Sequence, residues 1–229
     1  MARGVPVLLY HAFGDEPSRF VVGRRVFARQ MRLLSLLRFR VVPYGELVAA
    51  LGEGRVPRRT VALTIDDGYA EIAEIAPILE RHGFGATVFL ISGRLGGVNN
   101  WSSDPLLHGR PTLSVEEAVR LRARGIELGA HTRSHVDLRA VDGDTLTTEV
   151  EGSRRELEEA LGEPMRVFAY PYGGVDERVA EAVRAAGFAS ACTVVSRRAR
   201  IDDDPFLIPR IEVKRSDSLL RFLLKVVRP

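Results

Sequence analysis

"VALTIDDGY" (61–69) is a run of five apolar or β-branched residues that stops abruptly at two adjacent carboxylates, Asp66 and Asp67, and a glycine. A short run of this kind, bounded by a turn pair, reads as a strand buried on both faces, as strands are in parallel sheets. Asp-Gly is also the ordinary chemistry of a solvated turn. Two neighbouring carboxylates repel, however, and a cation held at the strand exit would offset that repulsion.

The same grammar repeats along the chain. Strand candidates are "VPVLLY" (5–10), "VALTI" (61–65), "ATVFLI" (86–91), "IELGA" (126–130), "RVFAY" (166–170), "FASACTV" (188–194) and "FLIPRIEV" (206–213). Helical spacing of apolar residues falls between them, over 26–38, 72–82, 114–125, 144–161 and 176–186, and Ser114 with Glu117 forms a capping-box pair. Strands alternating with helices indicate an α/β fold around a largely parallel sheet or barrel. No repeat or linker divides the sequence, so residues 1–229 read as one domain. The piece 92–113 is too long for an ordinary loop and contains Trp101, either a plug for that loop or an aromatic platform for a sugar ring.

Composition narrows the function. The chain has 229 residues, 45% hydrophobic and 28% charged, which suits a globular protein. Cys192 is the only cysteine and lies in an apolar run, so an intrachain disulfide and a cysteine zinc site are excluded and burial is expected. Net charge is +3, and Lys214 and Lys225 are the only lysines among 33 basic residues. The arginines are scattered rather than striped with aromatics, which argues against a nucleic-acid partner. No apolar run is long enough to span a membrane, and the amino terminus turns polar too early for a secretory signal. Cellular location and oligomeric state stay open.

Polar residues follow the strand candidates directly: His11 after "VPVLLY", Asp66 and Asp67 after "VALTI", His131 after "IELGA", and Pro171, Tyr172 and Gly173 after "RVFAY". The carboxyl ends of parallel strands share one face, and these groups therefore converge. His131 and His135 in "HTRSH" are four apart, which predicts two imidazoles on one side of a helical turn. With a carboxylate from the neighbouring strand they make a three-ligand set that leaves a divalent ion an open position. If Asp67 is the ligand, Asp66 is left to accept a proton from a water that the ion acidifies. His82 and His108 read as helix-end and surface residues.

At these residues the sequence resembles the polysaccharide deacetylase family, carbohydrate esterases that remove N-acetyl groups from N-acetylglucosamine polymers. The resemblance rests on "LTIDDGY" for a Thr-Phe-Asp-Asp-Gly motif, "HTRSH" for His-Ser/Thr-x-x-His and "FAYPYG" for Arg-x-Pro-Tyr-Gly, in family order. It implies a single-domain distorted (β/α) barrel with fewer than eight strands and a divalent metal, zinc by default. It also implies Asp66 as general base, Asp67, His131 and His135 as metal ligands, and the Tyr172 backbone N–H as an oxyanion donor. Trp101, Pro171 and Tyr170 are the expected substrate contacts, and the partner is an N-acetylated carbohydrate. Two positions depart from the family pattern. The motif arginine that orients the base is replaced by Ala169, and the late histidine that serves as general acid is missing from "FLIPRIEV". His11 is the candidate acid, similar to a Tyr-His near the amino terminus in the branch of poly-N-acetylglucosamine deacetylases. The rival readings are a hydrolase of cyclic, non-sugar amides on the same fold and a non-catalytic sugar-binding module.

Overall fold

Successive residues of a strand face opposite sides, so a strand buried on both faces fills two different spaces. In the computed structural model, which describes residues 4–227, the strands are β1 (Val7–Tyr10), β2 (Ala12–Phe13), β3 (Val21–Val22), β4 (Arg40–Val42), β5 (Thr60–Ile65), β6 (Ala86–Leu90), β7 (Ile126–Ala130), β8 (Val167–Ala169), β9 (Ser190–Cys192) and β10 (Ile211–Glu212). The helices are α1 (Arg24–Leu36), α2 (Tyr44–Gly52), α3 (Ile72–His82), α4 (Val115–Ala123), α5 (Gly143–Thr147), α6 (Ser153–Leu161), α7 (Glu177–Ala185) and α8 (Leu219–Val227).

The main sheet runs in the order β10-β1-β5-β6-β7-β8-β9, with every pair parallel. Seven strands thus form the path of a distorted barrel. β4 pairs with the lower half of β5, Arg40 opposite Thr60 and Val42 opposite Ala62, on the edge whose upper half takes β6. Beyond β9, Thr193 N–H donates to Ile208 O (2.8 Å) and Arg210 N–H to Val195 O (3.1 Å), so the wall continues through 208–210 into β10 and back to β1. β2 and β3 form a separate parallel pair outside the wall.

Alternation sorts the core residues of the main sheet into two clusters. Val7, Ala62, Phe89, Val167, Ala169 and Cys192 pack together and fill the barrel, whereas Leu8, Leu63, Val88, Leu128, Phe168 and Ala191 belong with helix residues such as Phe27, Met31, Ile75 and Leu157. Burial pushes the Cys192 thiol up to about 12, as suits a thiol used as an apolar filler.

The α/β alternation, the five expected helices and the Ser114–Glu117 capping box are all present. Three details differ. α2 and α8 form where no helix was expected, and α2 carries glycines at both ends, which weaken the helical signal. The expected helix over 144–161 is broken by a π-helical turn at Thr148–Gly152. "FLIPRIEV" contributes only Ile211 and Glu212 as strand, since Pro209 cannot donate to a ladder. No helix among the described residues is long and apolar enough to cross a membrane.

Candidate active site

Strand parity places the site. Counting inward-facing positions up β1, β5 and β7 leads to His11, Asp66 and His131, each one residue past the strand and facing the barrel axis with Val7, Ala62 and Gly129 below. Asp67 should then face outward, because neighbours in a strand diverge. It does not, because its backbone is left-handed (φ 72°) and Gly68 follows in the same region (φ 64°). Asp tolerates that conformation better than most side chains. The chain turns at once, and both carboxylates enter one cavity.

That cavity holds about 600 Å³ and is lined by His11, Asp66, Asp67, Trp101, His131, His135 and Tyr172, among others. Asp67 Oδ1 lies 3.2 Å from His135 Nε2 and 3.6 Å from His131 Nε2, and His131 Nε2 is 3.9 Å from Asp66 Oδ2. One ligand atom from each of Asp67, His131 and His135 lies within 4.8 Å of the others. Asp67 Oδ1 is buried without an aligned hydrogen bond among the described residues. A buried carboxylate oxygen without such a bond, faced by two imidazole nitrogens, suits a divalent cation.

Protonation states fit the same use. A carbonyl only accepts, so His131 Nδ1 donates to Ala169 O (2.7 Å) and Nε2 keeps its lone pair toward Asp67. Burial, more than the nearby charges, holds the His131 imidazole down at about 4, so it is neutral at pH 7. Burial alone would raise Asp67, but contact with His135 and the neighbouring His11 and His131 outweigh it and keep the carboxyl well below the usual range.

The expected helical turn at 131–135 is not there. Thr132 and His135 are both left-handed (φ 64° each), and the segment is an irregular loop. Polar side chains satisfy its backbone in place of helical bonds. Thr132 Oγ1 accepts from His135 N–H (2.9 Å), and buried Glu149 accepts from the N–H groups of Arg133 (3.0 Å) and Ser134 (2.8 Å). Glu149 belongs to the π-helical turn. The two imidazoles still meet, edge to face with centroids 4.9 Å apart, through this loop and not through helical periodicity.

Arg210 is the residue that reading the sequence missed. It is fully buried and donates both terminal nitrogens to Asp66, at 2.6 Å to Oδ1 and 2.7 Å to Oδ2, with Nε donating to Thr193 O (2.9 Å) and Nη1 to Thr64 Oγ1 (3.2 Å). Burial would raise Asp66, but the Arg210 charge, His131 and the Arg210 hydrogen bonds reverse that and hold the carboxyl below its ordinary value. Ala169, where the family motif has arginine, is an inward position that offers only a methyl group. The guanidinium comes instead from the opposite end of the chain. The one signal was a lone arginine in the apolar run "FLIPRIEV", on the inward parity of β10.

Trp101 is partly buried, stacked on Tyr69 (6.1 Å, 15°) and tilted against His135 (5.7 Å, 40°) at the cavity wall. Its loop is held by buried Asn99, whose Oδ1 accepts from the N–H groups of Trp101 (3.1 Å) and Ser102 (3.0 Å). Arg110 in the same loop pairs with Glu71, which also accepts from Phe13 N–H (3.2 Å), so the loop is strapped to the segment after His11. His11 lies edge-on to Phe20 (5.0 Å). Tyr172 is half exposed with φ 57°, and its hydroxyl is 3.1 Å from His135 Nδ1. Tyr170 and Pro171 do not reach the cavity, contrary to expectation. Tyr170 has the outward parity of Phe168, meets it edge to face at 5.4 Å and donates to Phe206 O (3.0 Å), and Pro171 is buried beside it. His82 ends α3, and His108 is exposed.

If Asp67, His131 and His135 hold an ion, loss of any one of them should strip it. His135→Ala is expected to hold substoichiometric metal after dialysis, measured by elemental analysis, and full occupancy would remove His135 from the set.

A sequence model of the polysaccharide deacetylase family matches residues 53–191, more than half of the chain. His11 and Arg210 lie outside that span. The chain is 22% identical over 228 residues to the poly-beta-1,6-N-acetyl-D-glucosamine N-deacetylase of Staphylococcus aureus, covering 95% of this chain and 76% of that protein. Among solved structures it is similar to the Streptococcus pyogenes deacetylase PplD in complex with acetate (TM-score 0.86, 22% identity, 100% of both chains). It is also similar to IcaB from Ammonifex degensii (TM-score 0.82, 26% identity, 97% of both chains).

Proposed function

The chain belongs to the polysaccharide deacetylase family, and from that premise we propose that it hydrolyses the N-acetyl group of N-acetylglucosamine units in a polysaccharide or oligosaccharide, releasing acetate. The observation that carries the reading is the pairing of two unlike carboxylates in one cavity. Asp66 is locked in a bidentate salt bridge, while Asp67 presents an oxygen without an aligned hydrogen bond to two imidazoles. Asp67, His131 and His135 would hold a divalent ion, zinc by default. Such an ion supplies a Lewis acid that polarises an amide carbonyl and acidifies water.

The chain's own groups do the rest. Asp66, kept ionised and aimed by Arg210, takes the proton of the attacking water. The Tyr172 backbone N–H donates to the carbonyl oxygen as it gains charge. As the C–N bond breaks, His11 delivers a proton to the leaving nitrogen, and acetate and a free amino sugar depart. Trp101 presents a ring face to the sugar.

Two outcomes follow from these roles. His11→Ala should retain the ion, depress turnover of acetamides by a factor on the order of 100 or more, and harm an activated aryl acetate ester far less, because a good leaving group departs without a proton. Equal losses on both substrates would end the acid role. Trp101→Ala should weaken oligomer binding by roughly 1.5–3 kcal/mol, the size of the apolar burial lost with a large side chain, with little change in melting temperature. A large fall in melting temperature with unchanged affinity would make Trp101 a plug for its loop.

A further inference from the structure

The parity that sends Arg210 to the cavity floor continues upward. Ile211 and Val213 are buried in the layer under the helices, so the alternate residues Glu212 and Lys214 face the cavity, which both line. At about 3.3 Å per residue, an extended segment would carry Lys214 roughly 13 Å from Arg210, out to the rim. Apart from Asp66 and Asp67, Glu212 is the only carboxylate lining the cavity among the described residues. Its side chain faces two cations, Arg19 (2.7 Å) and Lys214 (3.4 Å), and their side chains are 57% and 42% exposed. Lys225 also lines the cavity, with its charge matched by Asp217 and its ammonium donating to Glu212 O (2.6 Å). The rim above β10 therefore carries one positive charge more than its own carboxylates neutralise.

The identity of these cations matters as well. Only two of the chain's 33 basic residues are lysines, and both line this cavity. Arginine suits fixed, bidentate pairing such as that of Arg210 with Asp66, whereas an ammonium is a compact point charge on a flexible stem. Lys214 can swing from Glu212 to an incoming anion while Arg19 keeps Glu212 paired.

We propose that the Arg19–Glu212–Lys214 rim is a subsite for an anionic group, a phosphate or a carboxylate, carried by the saccharide beyond the sugar being deacetylated. This rests on the deacetylase reading and narrows it to a substrate class of acidic N-acetylglucosamine glycans. The Lys214 ammonium and the Arg19 N–H groups that Glu212 does not use donate to the anion's oxygens, and no covalent bond is made or broken there.

The test compares N-acetylglucosamine oligomers of one length in three forms: neutral, bearing a terminal phosphate, and bearing a carboxylate ether. For the wild-type protein kcat/KM, from acetate release at low salt, should be about tenfold higher for the anionic oligomers than for the neutral one, a typical effect of a charge-assisted hydrogen bond. The ratio should fall towards one in Lys214→Gln and at high salt. A preference for only one of the anionic forms identifies which acid the subsite takes. A wild-type ratio near one, or a ratio unchanged in both Lys214→Gln and Arg19→Gln, overturns the proposal. If no oligomer releases acetate, the deacetylase reading fails, and equilibrium titration with the same oligomers decides the subsite. Tighter binding of the phosphorylated form that is lost in Lys214→Gln supports it, and equal binding overturns it.

Discussion

Asp66→Asn is expected to lower acetate release by a factor on the order of 100 to 10,000, the usual contribution of a positioned acid–base group, and to leave the metal content unchanged. The two carboxylates are adjacent in sequence yet differ in their partners. Asp66 spends both oxygens on Arg210, whereas Asp67 Oδ1 faces His131 and His135. Asparagine keeps the shape and one acceptor oxygen at position 66 but cannot take a proton from water. Elemental analysis and the rate, measured on the same preparation, separate the roles. Loss of metal in Asp66→Asn, with metal retained in Asp67→Asn, would mean that the two residues have exchanged tasks.

Arg210→Met should be the most damaging single change to the site outside its reacting groups. The guanidinium is fully buried, and removing one partner of a buried ion pair costs about 3–5 kcal/mol because the other charge is left without compensation. Four hydrogen bonds, one to Thr193, one to Thr64 and two to Asp66, vanish together. The effect has a definite sign with pH. In the wild type the Asp66 carboxyl lies below its ordinary value, so its contribution to stability is present above the unfolded carboxylate pKa of about 3.9 and is lost as pH falls through the folded value. Without Arg210, burial acts with less opposition and moves the carboxyl upward. The acid limb of the kcat/KM profile then shifts to higher pH, and protonation of Asp66 relieves part of the instability as pH falls. Denaturant unfolding of Arg210→Met in the Asp66→Asn background checks this, since the penalty should shrink once position 66 bears no charge. An equal penalty in both backgrounds would make Arg210 a packing residue.

What the sequence made legible follows from locality. β1, β5 and β7 could be found because apolar runs with sharp ends are local patterns, and the shared carboxyl ends of parallel strands were enough to bring His11, Asp66 and His131 together; strand parity, which that reading did not use, aims all three at the barrel axis. The same parity, carried through β8, turns Tyr170 away from the cavity, which makes its expected substrate contact an error of reading rather than a gap in the sequence. Parity alone fails at Asp67, where a left-handed backbone overrides it, and at 131–135, where side-chain bonds from Thr132 and Glu149 replace the expected helical turn. The partner of Asp66 was out of reach because 144 residues separate it from Arg210, and nothing local distinguishes an arginine that will be buried from the scattered surface ones. The charged rim was hidden for the same reason. Lys214 and Lys225 stood out by composition, but their meeting across Glu212 depends on how α8 packs beside β10.

The most direct test is acetate release from a panel of N-acetylglucosamine oligomers before and after chelation and after restoring a divalent ion. The expected result is release by the protein as isolated, its loss on chelation and its recovery with zinc or another divalent ion, with His135→Ala inactive throughout. Release that is indifferent to chelation, or metal-replete protein that opens cyclic ureides and leaves every N-acetylated oligomer intact, would contradict it.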